Sequence, residues 1–236
     1  MEASELKKEL KKYASTERKK TNEWFFKTGK GEYGEHDMFL GITTPDMRKI
    51  AKSFTDISLL ELSKVLSSKY NEERETALII LTNKYKKGGA TEQKKVYDFY
   101  MQNLKHINNW NLVDVSAPNV VGEYLFEHKK EQKILNELVK SKSLWERRVS
   151  ILATWAFIKR NDFKWTLKNA KILLADTHDL THKAVGWMLR EVWKKSPEVC
   201  EKFLKDNYAK VPRTTLRYAI ERMEELKRKK FLKGEF

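Results

Sequence analysis

The apolar residues of this chain recur with two nested periods. At short range they fall three or four positions apart, the spacing that lines one face of an α-helix. At long range, laying the chain against itself at an offset of 36 brings one apolar pattern into register four times. Ala77, Val113, Val149 and Val185 form one column, Leu81, Ala117, Ala153 and Leu189 a second, and Ile80, Ser116, Leu152 and Met188 a third. A helical unit of this length cannot bury its apolar face alone and must stack on its neighbours. The segment 212–223, PRTTLRYAIERM, reads as a fifth, displaced copy, and the second helix of each unit falls in segments such as 92–105, 131–141 and 164–174.

The pattern therefore predicts an all-α fold, an α-solenoid in which stacked helix pairs form a curved superhelix with a long concave face. A period near 36 suits tetratricopeptide, ankyrin or short HEAT-like arrays, and the Trp-Leu-Gly-Tyr pattern of the first and the Thr-Pro-Leu-His of the second are absent. HEAT-like repeats remain. One domain is expected over 1–236, with capping helices and a loop over 1–43, repeats over 44–226 and a basic tail over 227–236. The chain starts with a basic amphipathic stretch, LKKELKKYA, and passes through a glycine-containing loop from Lys27 to Gly34. It re-enters helix at GITTPDMRKI, where the order of residues places Thr44 as N-cap and Pro45 at the first helical position, with Arg48 one turn on. The closing KRKKFLKGEF is expected to fray.

Composition agrees and adds a partner. Only 9 Gly and 4 Pro against 34% charged residues suit packed helices with solvated faces, so almost no sheet is expected. The formal net charge of +15 creates a field that attracts polyanions, nucleic acid first and a membrane surface second. No run approaches the roughly 18 apolar residues of a membrane span, and the termini show neither a signal peptide nor a lipidation motif. A soluble, intracellular, cytoplasmic protein is expected. The single cysteine, Cys200, excludes an internal disulfide and a Cys-rich zinc site, and reads as an ordinary buried or half-buried thiol.

The candidate chemistry begins at NNWNLVD. Asn109 stands where an N-cap belongs, so Trp110 lies in the first turn and Asp114 one turn later on the same side. The positions equivalent to Asp114 in the 36-residue register are Leu78, Ser150 and Gly186, so the acid is out of pattern. Departures from a local rule mark function or strain, although a mid-helix Asp beside a buried stripe also serves as a structural hydrogen-bonder. Pro118 cannot donate to the Asp114 carbonyl, which predicts a local bend. In SLWERRVSILATW, Arg147 and Arg148 point different ways, and either suits a phosphate or a surface ion pair with Glu146 or Asp162. In HKAVGWMLRE, Trp187 occupies a column otherwise held by Ile79, Val115 and Ile151. On a helical wheel the Trp110/Asp114 stripe and the Arg148 and Trp187 columns fall on different sides, so spacing alone does not converge them. His178 and His182 have the spacing of two helix-borne metal ligands, but the glutamate of HExxH and a third ligand are absent, so no metal is expected. Without a phosphate-cradling glycine loop or a GxSxG elbow, nucleotide hydrolysis and serine hydrolase chemistry lack support, and no cofactor is called for.

Taken together, FLGITTPDMR, NNWNLVDVSAPNVVGEYL, LWERRVSILATW, HKAVGWMLRE and PRTTLRYAIE resemble the successive helices of the AlkD-type DNA alkylation repair family, over roughly residues 24–226. The resemblance implies HEAT-like repeats that wrap DNA and a monofunctional glycosylase that excises cationic lesions, 3-methyladenine and 7-methylguanine, from the duplex, without flipping the base into a pocket. It places the catalytic carboxylate on Asp114, the paired aromatics on Trp110 and Trp187, and the active-site arginine on Arg148 rather than Arg147. Thr44 and Arg48 fall on positions that meet the DNA backbone, and Arg190 is grouped with them as a DNA contact. The segment WFFKTGKGEYGE departs from the family by its length, which leaves the N-terminal aromatic open among Trp24, Phe26 and Tyr33. The implied partner is double-stranded DNA carrying alkylated bases, bound by a monomer, with no membrane partner. Two alternatives stand: a non-catalytic HEAT-like protein that binds DNA of unusual structure, and a helical adapter for protein or RNA.

Overall fold

The computed structural model describes residues 1–236. The chain is all-helical; the only β-type pairing is an isolated bridge between Met38 and Tyr70. No helix is long and apolar enough to cross a membrane. The chain divides into two compact units, Met1–Val120 and Val121–Phe236.

The first unit holds α1 (Ala3–Lys11), α2 (Thr16–Phe25), α3 (Thr44–Ser53), α4 (Leu59–Leu66), α5 (Asn71–Lys87), α6 (Ala90–Gln102) and α7 (Trp110–Ser116). The basic start is an ordered helix because Leu6 and Leu10 are fully buried and the Ala3 N–H donates to Glu61 of α4 at 2.9 Å. At the start of α3 the cap is Thr43, one residue earlier than the sequence order suggested. Its hydroxyl accepts the Asp46 N–H at 3.2 Å and donates to the Asp46 carboxylate at 2.5 Å, a reciprocal arrangement that needs a three-residue spacing. Thr44 is consequently the first helical residue, with Pro45 second.

The second unit holds α8 (Glu123–Glu127), α9 (Ile134–Leu138), α10 (Leu144–Leu152), α11 (Trp155–Ile158), α12 (Lys164–Leu173), α13 (Asp179–Lys195), α14 (Pro197–Asp206), α15 (Arg213–Ala219) and α16 (Glu225–Lys233). A Cβ on Gly186 of α13 would lie 2.6 Å from the Thr215 carbonyl oxygen and 2.4 Å from Tyr218 Cβ, so only glycine permits this approach of α13 to α15. The C-terminal stretch expected to fray is helical. Phe231 is buried there, the Tyr208 hydroxyl donates to its carbonyl at 2.9 Å, and Arg213 donates to the Leu232 carbonyl at 2.8 Å. Cys200 is buried, and burial followed by the charge of Glu201 pushes its thiol up to about 12, which leaves it unreactive near neutrality.

All twelve residues of the three columns are buried. Ser116, the polar member, is satisfied by a 2.5 Å bond to the Leu112 carbonyl and a 3.0 Å contact with the Tyr100 hydroxyl. Burial raises the Tyr100 phenol well above its ordinary value, so it remains a neutral hydrogen-bonding group. After Pro118 the chain makes a π-type turn over Pro118–Gly122, where the missing proline N–H deprives the Asp114 carbonyl of its usual helical donor.

Candidate active site

The site is built on α7. Asn109 caps this helix by accepting the Trp110 N–H at 2.7 Å, which fixes where Trp110 leaves the backbone and, one turn on, where Asp114 does. Asn109 is itself fully buried, and its Nδ2 donates to Asp37 Oδ2 at 2.6 Å. Asp37 also accepts Asn71 Nδ2 at 2.8 Å and forms a buried ion pair with Arg74. On the other side of Trp110, Asn111 donates to Glu75 Oε2 at 2.6 Å and to Asn71 Oδ1 at 2.7 Å. A network of buried polar groups thus grips α7 on both sides of its tryptophan, with Arg74 Nε left without a partner inside it.

No pattern of residues along the chain signals this arrangement. Its core is NEERE, the first five residues of α5, all buried although four of them carry formal charge. Three of these charges have their own reasons to be tolerated. Glu72 accepts the N–H groups of Leu40 at 2.9 Å and Gly41 at 2.8 Å as well as Asn22 Nδ2 at 3.2 Å, Glu73 faces Lys7 at 3.6 Å, and Arg74 meets Asp37. Gly41 has φ of +81°, the left-handed region that favours glycine, and a Cβ there would lie 2.1 Å from the Ser15 carbonyl oxygen. Without that glycine the loop could not deliver its N–H groups to Glu72.

Within the first unit, Trp110 and Asp114 line a cavity of 430 Å³ together with Phe25, Phe26, Thr44, Arg48 and Glu75. Thr44 and Arg48 are exposed, and Trp110 and Asp114 are half-buried. Phe26 stacks on Trp110 with ring centroids 4.8 Å apart and planes 8° from parallel, and it rests in turn on buried Phe39 at 4.8 Å. Phe25 meets Trp110 edge-on at 5.7 Å. Among the N-terminal aromatics left open by the sequence, Phe26 lines this cavity, joined by Phe25, which that reading did not single out. Trp24 is 72% exposed, with the Lys27 ammonium 5.5 Å from its ring.

The remaining candidates belong to the second unit and are described within it. Arg147 and Arg148 do diverge. Arg147 pairs with Asp176 at 2.6 Å and donates to the Ser141 and Lys142 carbonyls at 3.0 Å, so the ion pair expected with Glu146 or Asp162 is made with Asp176. Burial alone would raise the Asp176 carboxyl, but the Arg147 hydrogen bond and the His178 N–H hold it below its ordinary value. Arg148 is buried, and its Nη1 donates to the Leu180 carbonyl at 2.6 Å. Trp187 is half-buried with its ring centroid 5.5 Å from that of Trp155. Arg190 forms an ion pair with Glu221, from which a DNA phosphate would have to displace it. His178 is occupied as the N-cap of α13, accepting the Leu180 N–H at 3.1 Å, and His182 Nε2 lies 2.6 Å from the Asp176 carbonyl oxygen.

Trp110 and Asp114 thus share one cavity with exposed Thr44 and Arg48. The fold of the chain is shared by a solved structure described as a predicted DNA alkylation repair enzyme from Enterococcus faecalis. The TM-score is 0.70 at 16% identity, covering 90% of this chain and 97% of that one. No curated protein matches the sequence. The family described as DNA alkylation repair enzyme matches residues 6–223, nearly the whole chain, and the protein belongs to that family. Membership brings a role in the repair of alkylated DNA, and with it DNA binding.

Proposed function

We propose that the protein is a monofunctional DNA glycosylase that hydrolyses the N-glycosidic bond of cationic alkylated purines, such as 3-methyladenine and 7-methylguanine, in duplex DNA, as a monomeric HEAT-like repeat protein of base excision repair. The observation that carries this reading is the out-of-register Asp114, half-buried and lining one cavity with Trp110.

An N-alkylated purine already bears positive charge, so it leaves as a neutral base without a general acid, and the sugar acquires oxocarbenium character. What the protein must supply is fixed negative charge where that cation develops. Asp114 supplies it and orients the attacking water, as a preorganised anion does in other glycoside hydrolyses. Trp110 offers an aromatic surface to a cation, a contact of about 0.5–2 kcal/mol depending on desolvation. Its orientation is set in advance by Phe26 behind it and by the Asn109 cap beneath it. Thr44 and Arg48, at the exposed start of α3, take backbone phosphates with the help of the helix N-terminus. In the second unit, Trp187 is assigned the other aromatic role, Arg148 a phosphate for which its forked donors suit it, and Arg190 a further DNA contact.

The test of Asp114 compares release of 7-methylguanine by the wild type and by Asp114→Asn at matched DNA occupancy. The expected result is a fall of about 10²–10³-fold in release with binding retained, the size of effect of removing one preorganised electrostatic group. Equal release by both would remove Asp114 from the mechanism. Binding without release by either would favour a DNA-structure-binding protein.

A further inference from the structure

Within the same cavity lies a second carboxylate that the proposed chemistry has not used. Glu75 is 8% exposed and lines the cavity wall. It differs from the other acids of its turn in how it is satisfied. Glu72 collects several N–H donors and Glu73 has a lysine, whereas Glu75 accepts a single hydrogen bond, from Asn111 Nδ2 to Oε2 at 2.6 Å. Its other oxygen, Oε1, accepts none from the protein. Oε1 is not a buried orphan, so it is open to the cavity, where a ligand can reach it. A largely buried carboxylate with one oxygen left open to a cavity is placed to meet a ligand there.

We propose that Glu75 is a specificity-determining residue of this cavity, a second anion beside Asp114 that favours cationic lesions over neutral ones. The inference rests on the glycosylase reading above. Asp114 acts where charge develops in the transition state, and Glu75 supplies attraction to a ligand that is already positive. The groups facing it come from four helices: Glu72 from its own turn, Arg48 from α3, Asn111 and Asp114 from α7, and Asn22 from α2. Burial raises its carboxyl above the ordinary value; the Asn111 hydrogen bond lowers it, Glu72 adds to the rise and Arg48 opposes it. A cation in the cavity favours the ionised form, and by linkage the ionised form favours the cation.

The experiment measures binding of two duplexes, one with a pyrrolidine abasic analogue, cationic at neutral pH, and one with the neutral tetrahydrofuran analogue. Wild type, Glu75→Gln and Asp114→Asn are compared. Gln keeps the shape and an acceptor for Asn111, so thermal stability should hold or rise. The preference for the cationic duplex should fall about tenfold, a coupling equivalent to one pKa unit. In the wild type, and in Asp114→Asn, the preference should decline as pH falls through a value above the ordinary carboxylate value of 4.5, and that step should be missing from Glu75→Gln. Should Glu75→Gln not fold, the pH step in Asp114→Asn decides alone, and its absence overturns the proposal. A full preference in folded Glu75→Gln overturns the role of Glu75 and leaves the glycosylase reading standing. No preference in the wild type overturns both.

Discussion

Helices α5 and α13 are each seventeen residues long and begin three repeat steps of 36 apart in the chain, yet their first turns have opposite characters. In α13, Asp179 is exposed, Leu180, His182 and Lys183 are partly so, and Asp179 pairs with Lys183 at 2.8 Å on the surface. In α5, Asn71, Glu72, Glu73, Arg74 and Glu75 are all buried. The repeat therefore does not demand a buried polar turn at this position. What sets α5 apart is what its side chains hold: the loop at Asp37 and Leu40–Gly41, Asn108 just before the cap of α7, and Asn111 just after Trp110. The start of α13 is largely solvated on its charged side, with Thr181 buried and the Leu180 carbonyl accepting Arg148, whereas the start of α5 buries its charges and supports the Trp110 cavity.

The largest effect expected from this contrast is at Arg74. Arg74→Ala leaves Asp37 buried without its cation and should cost about 3–5 kcal/mol of stability, measured by urea unfolding. The matched change in α13, Lys183→Ala, removes a surface pair and should cost under about 1 kcal/mol. Equal losses would break the comparison. Next in size is Gly186→Ala, in the middle of α13. Its methyl group would meet the Thr215 carbonyl and Tyr218, and the overpacking should cost about 1–3 kcal/mol. The smallest effect is electrostatic and concerns Asp176, just before α13. A carboxylate held below its ordinary value stabilises the fold above the unfolded-state pKa and loses that contribution as pH falls through the folded-state value. Stability measured from pH 6 downward should therefore decline more steeply in the wild type than in Asp176→Asn, and identical acid limbs would remove the Arg147 pair from the account.

The same contrast explains what could be read in advance. The three columns were legible because apolar burial repeats with the helix and the unit, and all twelve positions are buried as expected. Asp114 was legible because it breaks its column. That column also shows how one position serves four purposes: Leu78 is core, Asp114 lines the cavity, Ser150 bonds back to the Arg147 carbonyl at 2.7 Å, and Gly186 allows α13 to approach α15. NEERE was not legible, because a run of charges reads as a solvated face unless its partners are known. Those partners, Asp37, Asn108 and Asn111, lie 34 to 40 residues away from it in the chain in the bonds that matter. Asp37 reaches Asn109 across 72 residues. The Phe26–Trp110 stack was hidden for the same reason, and the basic C-terminal stretch was misread because the burial of a single residue, Phe231, outweighs its surrounding lysines.

Product analysis with a duplex carrying one 7-methylguanine decides whether the protein is a monofunctional glycosylase. A monofunctional glycosylase leaves free 7-methylguanine in solution and a lesion strand that remains unbroken until alkali cleaves it at the abasic position. Tight binding with no free base, or a strand cut by the protein itself, would contradict a monofunctional glycosylase.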